Sequence, residues 1–436
     1  MALAQDLYEK LTNEEDARLC RDIDERACRE SPRSFFYLLT SYFLTKLGDA
    51  IASPKTTLAW LTTAVGAPAF VLGLLVPIRE SGSLIPQLFV GGIIRRLPVR
   101  KWVWVAGSVI QAACVAGIGL VAWRLEGSAA GWAILGLVTV FSLARGFCSV
   151  SSKDVLGKTI PRKIRGQLTG WSAGAAGLLT IGVGIVLMSP AAELDDTDRI
   201  GTLLVGAGLL WLVAAAVYSL VGEYAGETGG GRSVAEAVGQ LRLLVTDKPF
   251  QRFVVTRALL MCSALSAPFY VALAQNSRGS SATVLGSFVA AAGLASLLSA
   301  PLWGRFADQS SRKVMVAAAL LTSGIGLVTF GVEKLAPGLG RTAWFLPLAY
   351  FVLSIAHSGV RVGRKTYVVD LATGNRRTDY VAISNTVIGV LLLMVGSVGA
   401  LSPLIGNAGV IALLAVMGLS GALLGATLPE TQDDDA

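Results

Sequence analysis

The chain is poor in charged residues and holds a single histidine. Of its 436 residues, 15% are charged and 53% are hydrophobic, and the histidine is His357. One histidine cannot build a His-rich metal centre, and the five cysteines show no C-x-x-C spacing for zinc. We predict no metal, no cofactor and no disulfide framework. The low charge also excludes an ordinary soluble domain, which leaves an integral membrane protein.

Enzymes and nucleic-acid-binding proteins are disfavoured as well. No nucleophile, base and orienting acid stand at a recognisable spacing, so we predict no enzymatic activity and no catalytic residues. The net charge of +8 comes from short basic bursts between apolar runs, not from one exposed face. The expected partners are a small-molecule solute, protons and membrane lipids, without nucleic acid, and we expect a monomer.

Long apolar runs dominate the sequence. A helix needs roughly 20 residues to cross about 30 Å of hydrocarbon, and twelve runs reach that length. We therefore predict an all-α integral membrane protein with twelve transmembrane helices. The predicted spans are 35–61, 68–94, 102–123, 132–157, 168–189, 201–222, 252–274, 282–305, 314–332, 344–366, 380–401 and 408–428.

The connecting loops differ in charge. Most of the 37 Lys and Arg residues lie on the side of the N-terminus, and the opposite loops hold few. The positive-inside rule then predicts a multi-pass protein of the cytoplasmic (inner) membrane with both termini in the cytoplasm.

Composition divides the chain into five parts. They are a cytoplasmic N-terminal segment (1–34), a first six-helix half (35–222), a glycine-rich linker (223–251), a second six-helix half (252–428) and an acidic tail (429–436). Ser233 and Glu236 have the spacing of a capping box, which predicts a short amphipathic helix within the linker.

The two halves are related by a repeat. At an offset of 213 residues, SLIPQLFVG at 83–91 falls on SLLSAPLWG at 296–304. This offset indicates two six-helix halves related by a repeat.

The loop after the second helix of each half carries a family signature. GRFADQSSRK at 304–313 resembles the G-x-x-x-D-R-x-G-R-R motif of the major facilitator superfamily, and Pro161, Arg165 and Gly166 match its looser P-x-x-x-R-G pattern. The resemblance covers roughly residues 35 to 428. It implies the fold of that superfamily, in which two halves rock about a central site by alternating access and helices one, four, seven and ten line the cavity.

Charged residues interrupt the first two spans near mid-depth. If these spans form a hairpin, Asp49 and Glu80 are level, with Arg79 adjacent and Lys46 one turn away on the face of Asp49. Arg79 and Glu80 point about 100° apart around their helix, so they cannot simply pair with each other. An isolated charge at this depth costs at least ~2.5–3.5 kcal/mol, so mutual pairing and a wet cavity are predicted.

Two interpretations of this group remain open. In one, the ion pairs Asp49 with Arg79 and Lys46 with Glu80 only clip two helices together. In the other, Asp49 or Glu80 exchanges a proton during transport while Lys46 and Arg79 bind the solute. The slight excess of cations favours an anionic or zwitterionic solute.

Arg145 and His357 each lie 13 residues after a span-opening tryptophan, which puts both near mid-depth. The resemblance places them around the central cavity, and Arg145 resembles the fourth-helix arginine of proton-coupled members. We expect both to bind the solute, although a neutral histidine bonded to a carbonyl or hydroxyl explains His357 equally well. Arg257, early in the seventh span, is expected to extend to the cytoplasmic interface.

The resemblance also implies gating contacts. In the superfamily, the loop acid after the second helix meets the electropositive start of the eleventh helix. Arg95 replaces that acid here, so we predict a reversed latch between Arg95 and Asp379 and an ordinary one between Asp308 and the fifth-helix start at Arg165. Alternatively, Arg95 contributes only to the positive-inside topology.

These features together favour a proton-coupled secondary active transporter of a small organic solute. One alternative is a lipid or amphiphile translocase or exporter on the same fold, because the seventh and eleventh spans are small and apolar. Another is a non-transporting membrane sensor or scaffold that signals through residues 1–34.

Overall fold

The computed structural model describes residues 23, 25–86, 90, 93–94, 96–189, 196–226, 228, 240–307, 309–371 and 376–431. Within these ranges the ordered elements are all helices, with no β-strand. In chain order the helices are α1 (Glu25–Ile51), α2 (Thr57–Ala64), α3 (Ala69–Leu84), α4 (Lys101–Arg124), α5 (Gly127–Thr159), α6 (Arg162–Met188), α7 (Asp196–Ser219), α8 (Leu243–Thr246), α9 (Lys248–Leu259), α10 (Cys262–Leu265), α11 (Ala267–Arg278), α12 (Ala282–Ala307), α13 (Ser311–Leu335), α14 (Pro337–Gly340), α15 (Phe345–Asp370), α16 (Arg376–Gly396) and α17 (Ser402–Ala426), with 3-10 turns at Gln240–Arg242 and Ser397–Leu401.

Nine segments of the described chain are long and apolar enough to cross a membrane. Seven are single helices, while Lys248–Arg278 joins α9 to α11 and Tyr380–Ala426 joins α16 to α17. The helix α1 is not among them, because Lys46 and Asp49 lower its hydropathy, and α3 ends after 16 residues. The all-α membrane class is confirmed, and the count of twelve spans and the domain bounds stay predictions.

The helices at the positions of the first and seventh predicted spans are both interrupted. α1 ends at Ile51 and α2 begins at Thr57, with Pro54 in the gap, and Pro268 follows the bend at Ser266. Proline lacks the amide donor that a continuous helix needs and disfavours helical conformation in the residue before it. Interrupted helices in a membrane occur where the freed backbone groups line a cavity or contact other protein segments.

The two halves meet along two glycine-lined seams, one between α6 and α12 and one between α3 and the 3-10 turn that follows α16. A Cβ atom added to Gly184 would lie 2.7 Å from the carbonyl oxygen of Gly286, and one added to Gly73 would lie 2.6 Å from the Cα of Gly399. Glycine is required at these positions because the two backbones are nearly in contact.

Two further expectations concern the polar segments. The prediction of no disulfide is wrong for Cys28, which is disulfide-bonded; an odd number of cysteines excludes only complete pairing. The capping box predicted at Ser233 and Glu236 lies outside the described residues.

Candidate transport site

Asp49 joins α1 to two other helices. Nη2 of Arg79 donates to its Oδ1 at 3.0 Å, and Nη2 of Arg145 donates to its Oδ2. Arg145 also donates to Oε1 of Gln111 at 3.4 Å, and the Arg79 guanidinium lies 4.6 Å from the centroid of the Phe141 ring. The expected ion pair between Asp49 and Arg79 is present, and a second guanidinium from α5 completes it.

This cluster of one carboxylate and two guanidiniums keeps access to solvent. The side chains of Asp49, Arg79 and Arg145 are 22%, 16% and 27% exposed. Two cations on one anion leave a net positive charge. Placing that charge inside a bilayer requires a wet cavity, because hydrocarbon contact would be far more costly.

Lys46 faces α6. Its Nζ donates to the carbonyl oxygen of Thr169 at 2.7 Å and to Oγ of Ser172 at 2.8 Å. The pairing of Lys46 with Glu80 that one interpretation requires is therefore wrong; the offset of Lys46 from Asp49 around α1 turns it toward α6 and away from α3. Lys46 and Arg145 line an open cavity of about 270 Å³, whose other walls include Tyr42, Thr45, Ser149, Ser152, Lys153 and Leu156.

Glu80 lies in a separate, smaller cavity. The side chains around it include Arg257, His357 and Arg364. Its strongest electrostatic partner is Lys55, which lies in the gap between α1 and α2. Arg79, Arg364 and Arg361 follow Lys55 in that order, so Glu80 shares Arg79 with Asp49.

His357 connects the two halves. Nζ of Lys55 lies 2.8 Å from its Nε2, and Oγ of Ser263 lies 3.0 Å from its Nδ1. A charged ammonium can only donate, so Nε2 accepts and Nδ1 carries the proton that is donated to Ser263. Both ring nitrogens are thus engaged by protein side chains.

Arg257 is buried and does not reach the interface. The residue is 5% exposed, and its Nη1 and Nη2 donate to Oγ of Ser384 and Oδ1 of Asn385, each at 2.8 Å. The expected interfacial position is wrong because α9 packs this side chain against α16.

A basic stripe on α15 was missed by the sequence analysis, which counted three of its members with the loop charges. Its residues follow the spacing i, i+4, i+7 and i+8, which places them on one helix face. They are His357, Arg361, Arg364 and Lys365. The helical spacing is the signal that could have identified them as a group.

Two members of the stripe, His357 and Arg364, line the smaller cavity around Glu80, and the other two have electrostatic partners in the first half. Lys46 interacts electrostatically with Arg361 and Lys365, and Lys365 interacts with Lys153. The same spacing recurs on α5 at an offset of 212 residues, from Arg145 through Ser149 and Ser152 to Lys153. Helices α5 and α15 therefore carry a similar basic pattern, which is one residue out of register with the 213-residue repeat.

The predicted gates fall mostly outside the described residues. Arg95 and Asp308 lie there, as does the side chain of Asp379. Arg165 is described: its Nε donates to the carbonyl oxygen of Ile160 at 2.7 Å, and its Nη2 to that of Gly157 at 2.8 Å. It therefore stabilises the last turn of α5, and both latches stay predictions.

Comparison with known proteins agrees with this architecture. Residues 253–435 match the sequence model of the Major Facilitator Superfamily. The inward open xylose transporter XylE from E. coli is similar with a TM-score of 0.67 at 14% identity, over 92% of this chain and 97% of that one. The nucleoside transporter NupG is similar with a TM-score of 0.64 at 12% identity, over 91% and 98%. The family resemblance is confirmed over residues 253–435, which match the superfamily's sequence model, and the described chain shares the fold of these solved transporters.

Mycobacterial relatives are similar over most of the sequence. Uncharacterized proteins of Mycobacterium tuberculosis and Mycobacterium bovis are each 24% identical over 343 residues, which is 77% of this chain and 64% of theirs. The chain thus spans less than two thirds of the length of the curated relatives it matches.

Proposed function

We propose that the protein is a proton-coupled secondary transporter of a small organic anion, which works by alternating access in the cytoplasmic membrane with both termini in the cytoplasm. The observation that carries the proposal is the charge at its centre, where many cations surround the carboxylates of Asp49 and Glu80. Those cations include Lys46, Lys55, Arg79, Arg145, Arg257, Arg361, Arg364 and Lys365. A centre with this excess of positive charge favours a negatively charged solute over a neutral sugar.

We assign proton coupling to Asp49. Ionised, Asp49 offsets the charge of Arg79 and Arg145, which it holds directly. Protonated, it releases both guanidiniums to an anionic group of the solute. Because linkage between two ligands is reciprocal, the proton and the anion each strengthen binding of the other, and the two move together.

The remaining predicted residues take distinct roles in this proposal. Lys46 lines the solute cavity beside Arg145. Glu80 balances Lys55 and Arg364 in the smaller cavity. His357, with both nitrogens engaged, holds the halves together and meets solute only after Lys55 has moved away.

Proteoliposomes that enclose a pH-sensitive dye test the proposal. Succinate, glutamate and glycerol 3-phosphate are added outside, with xylose and uridine as neutral solutes. An anion should acidify the interior, and Asp49→Asn should abolish that acidification while Glu126→Gln, at an exposed position before α5, leaves it intact.

Other outcomes separate the alternatives. Uptake of the neutral solutes alone, without proton movement, would overturn the proposal. Flipping of labelled lipid without solute uptake would favour the amphiphile translocase. Solute binding without any movement across the membrane would favour the sensor.

A further inference from the structure

We propose that the solute is a phosphate monoester of a small organic compound, and that Lys46 and Lys153 bind its phosphate group in the first half of the molecule. The inference rests on the proposed function and names its substrate class. Arg145 joins the two lysines when Asp49 is protonated. Carboxylates such as succinate bind at the same place, but more weakly.

Three cations line the larger cavity, and they come from two helices. Lys46 extends from α1, and Arg145 and Lys153 extend from α5. Among the described residues that line this cavity there is no aspartate or glutamate. The wall is therefore polar and positively charged. Further lining residues carry hydroxyl groups, namely Tyr42, Thr45, Ser149, Ser152 and Thr169.

Asp49 does not cancel this positive charge. Its carboxylate already accepts from both Arg79 and Arg145. Lys46 is a third cation that the same carboxylate attracts. One negative charge thus faces three positive ones, so Asp49 leaves an excess of positive charge beside the cavity.

Asp154 does not neutralise Lys153, its neighbour in the sequence. Its two carboxylate oxygens pair with Arg100 and Lys158. Lys153 makes no ion pair with any residue that the structure describes. Because Lys153 is exposed, its ammonium group is accessible to an anion in the cavity that it lines.

Lys46 has one hydrogen-bond donor left. An ammonium group carries three N–H bonds, and two of them donate to the carbonyl oxygen of Thr169 at 2.7 Å and to Oγ of Ser172 at 2.8 Å. Both acceptors are uncharged, so they hold Lys46 in place without cancelling its charge. The third N–H is available to an anion in the cavity.

The spacing on α5 allows one anion to contact several donors. Arg145, Ser149 and Lys153 follow each other at intervals of four residues, so they lie on one face of the helix. Arg145 and Lys153 are about 12 Å apart along the helix axis. Both side chains are long enough to converge on an anion beside Ser149.

The number and kind of these cations favour phosphate over carboxylate. A carboxylate has one charge and two coplanar oxygens, which a single arginine binds well in a bidentate manner. A phosphate monoester carries a charge of about −1.5 to −2 at pH 7 and has terminal oxygens that point in different directions. Lysine binds phosphate as a point charge. Two lysines and one arginine from different helices match the phosphate.

The cavity's size limits the organic part of the solute. A volume of about 270 Å³ lies at the lower end of ligand pockets. It admits a phosphate group with a short polar chain, and it is too small for a phospholipid with its acyl chains. A soluble phosphorylated compound therefore fits better than a lipid headgroup.

Isothermal titration of the purified protein at pH 7.5 with glycerol 3-phosphate and with glycerate tests the inference, because both carry one acidic group on a short dihydroxylated chain. Glycerol 3-phosphate should bind roughly tenfold more tightly to the wild type. Lys46→Gln and Lys153→Gln should each weaken its binding by roughly tenfold and change glycerate binding less. Lys248→Gln removes an exposed charge at the start of α9 and should bind both compounds like the wild type.

Equal or tighter binding of glycerate by the wild type would overturn the phosphate inference alone and leave a carboxylate transporter. The same holds if Lys46→Gln and Lys153→Gln, with unchanged unfolding temperatures, bind glycerol 3-phosphate like the wild type. Inorganic phosphate bound as tightly as glycerol 3-phosphate, or dihexanoyl phosphatidic acid bound more tightly, would overturn the assignment of a soluble monoester. If no anion binds at millimolar concentration while xylose or uridine does, both the inference and the proposed function fail.

Discussion

Nζ of Lys55 lies 2.8 Å from Nε2 of His357, and this contact ties the interrupted first span of one half to α15 of the other. Further along α2, Nε2 of Gln275 donates to the carbonyl oxygen of Trp60 at 3.0 Å, and Trp60 is fully buried. The halves are thus joined from the centre toward the side away from the predicted cytoplasm. The cavity around Lys46 lies on the other side of this junction.

Replacing Lys55 with methionine should loosen that junction. A hydrogen bond to a charged group contributes about 1.5–3 kcal/mol, so its loss should raise the population open on the far side by roughly tenfold or more. A cysteine introduced at Ala272, a buried residue that lines the cavity between α2 and α11, should then react faster with an impermeant maleimide added from that side. Lys334→Met, at an exposed position on α13, provides the control, and an unchanged rate in Lys55→Met would show that the contact does not hold the halves closed.

Asp49→Asn should make anion binding insensitive to pH. The amide keeps the size of the carboxylate but cannot neutralise Arg79 and Arg145, so both guanidiniums are permanently available. Succinate affinity measured by titration, and corrected for protonation of succinate itself, should rise as pH falls from 7.5 to 6.5 in the wild type and stay constant in the variant. A pH response like that of the wild type in Asp49→Asn would assign the titrating group to another residue, with Glu80→Gln as the next variant to measure.

Gly184→Leu should destabilise the packing of α6 on α12. A Cβ atom at Gly184 would lie 2.5 Å from the amide nitrogen of Ala290, whereas one at Gly182 would meet nothing within 4 Å. Overpacking of this kind costs typically ~1–3 kcal/mol. The thermal unfolding temperature in detergent should therefore be lower for Gly184→Leu than for Gly182→Leu. Equal unfolding temperatures for the two variants would contradict the close approach of the two backbones.

Glu223→Gln should weaken the start of α4. The Glu223 side chain is fully buried and accepts from the backbone amides of Arg100 at 2.9 Å and Lys101 at 2.6 Å, as well as from Nζ of Lys158 at 3.2 Å. The carboxylate also lies at the positive end of the helix dipole. Loss of its charge should lower the free energy of unfolding by about 1.5–3 kcal/mol.

Glu126→Gln is the matched control for that variant. Glu126 also precedes a helix, but its side chain makes no capping hydrogen bond. In chemical denaturation, the free energy of unfolding should be clearly lower for Glu223→Gln than for Glu126→Gln. If Glu223→Gln unfolds like Glu126→Gln, the buried carboxylate contributes little to stability.

The contacts that the sequence predicts best are those within one hairpin. Asp49 and Arg79 lie on consecutive helices, so the connecting turn fixes their relative depth, and the expected ion pair is present. The addition of Arg145 to the same carboxylate depends on how α5 is rotated in the bundle, which its own sequence does not specify. Pairing across the bundle is set by tertiary packing. For that reason the predicted pairing of Lys46 with Glu80 is wrong.

Two other misassignments have distinct causes. Lys55 lies inside the predicted span 35–61, which assumes a continuous helix, whereas Pro54 marks the interruption that places it in the gap between α1 and α2. Arg257 was assigned to the interface from its distance along the helix, yet burial depends on the neighbours that surround a helix end, here Ser384 and Asn385.

The glycine seams have a mechanical consequence. Where Gly184 faces Gly286 and Gly73 faces Gly399, the surfaces in contact are bare backbone with no side chains to interdigitate. One half can rotate against the other along these contacts, because no interdigitated side chains have to change rotamer. The free-energy barrier to this rotation then comes mainly from a few charged contacts at the centre. A bound solute or a proton can break those contacts.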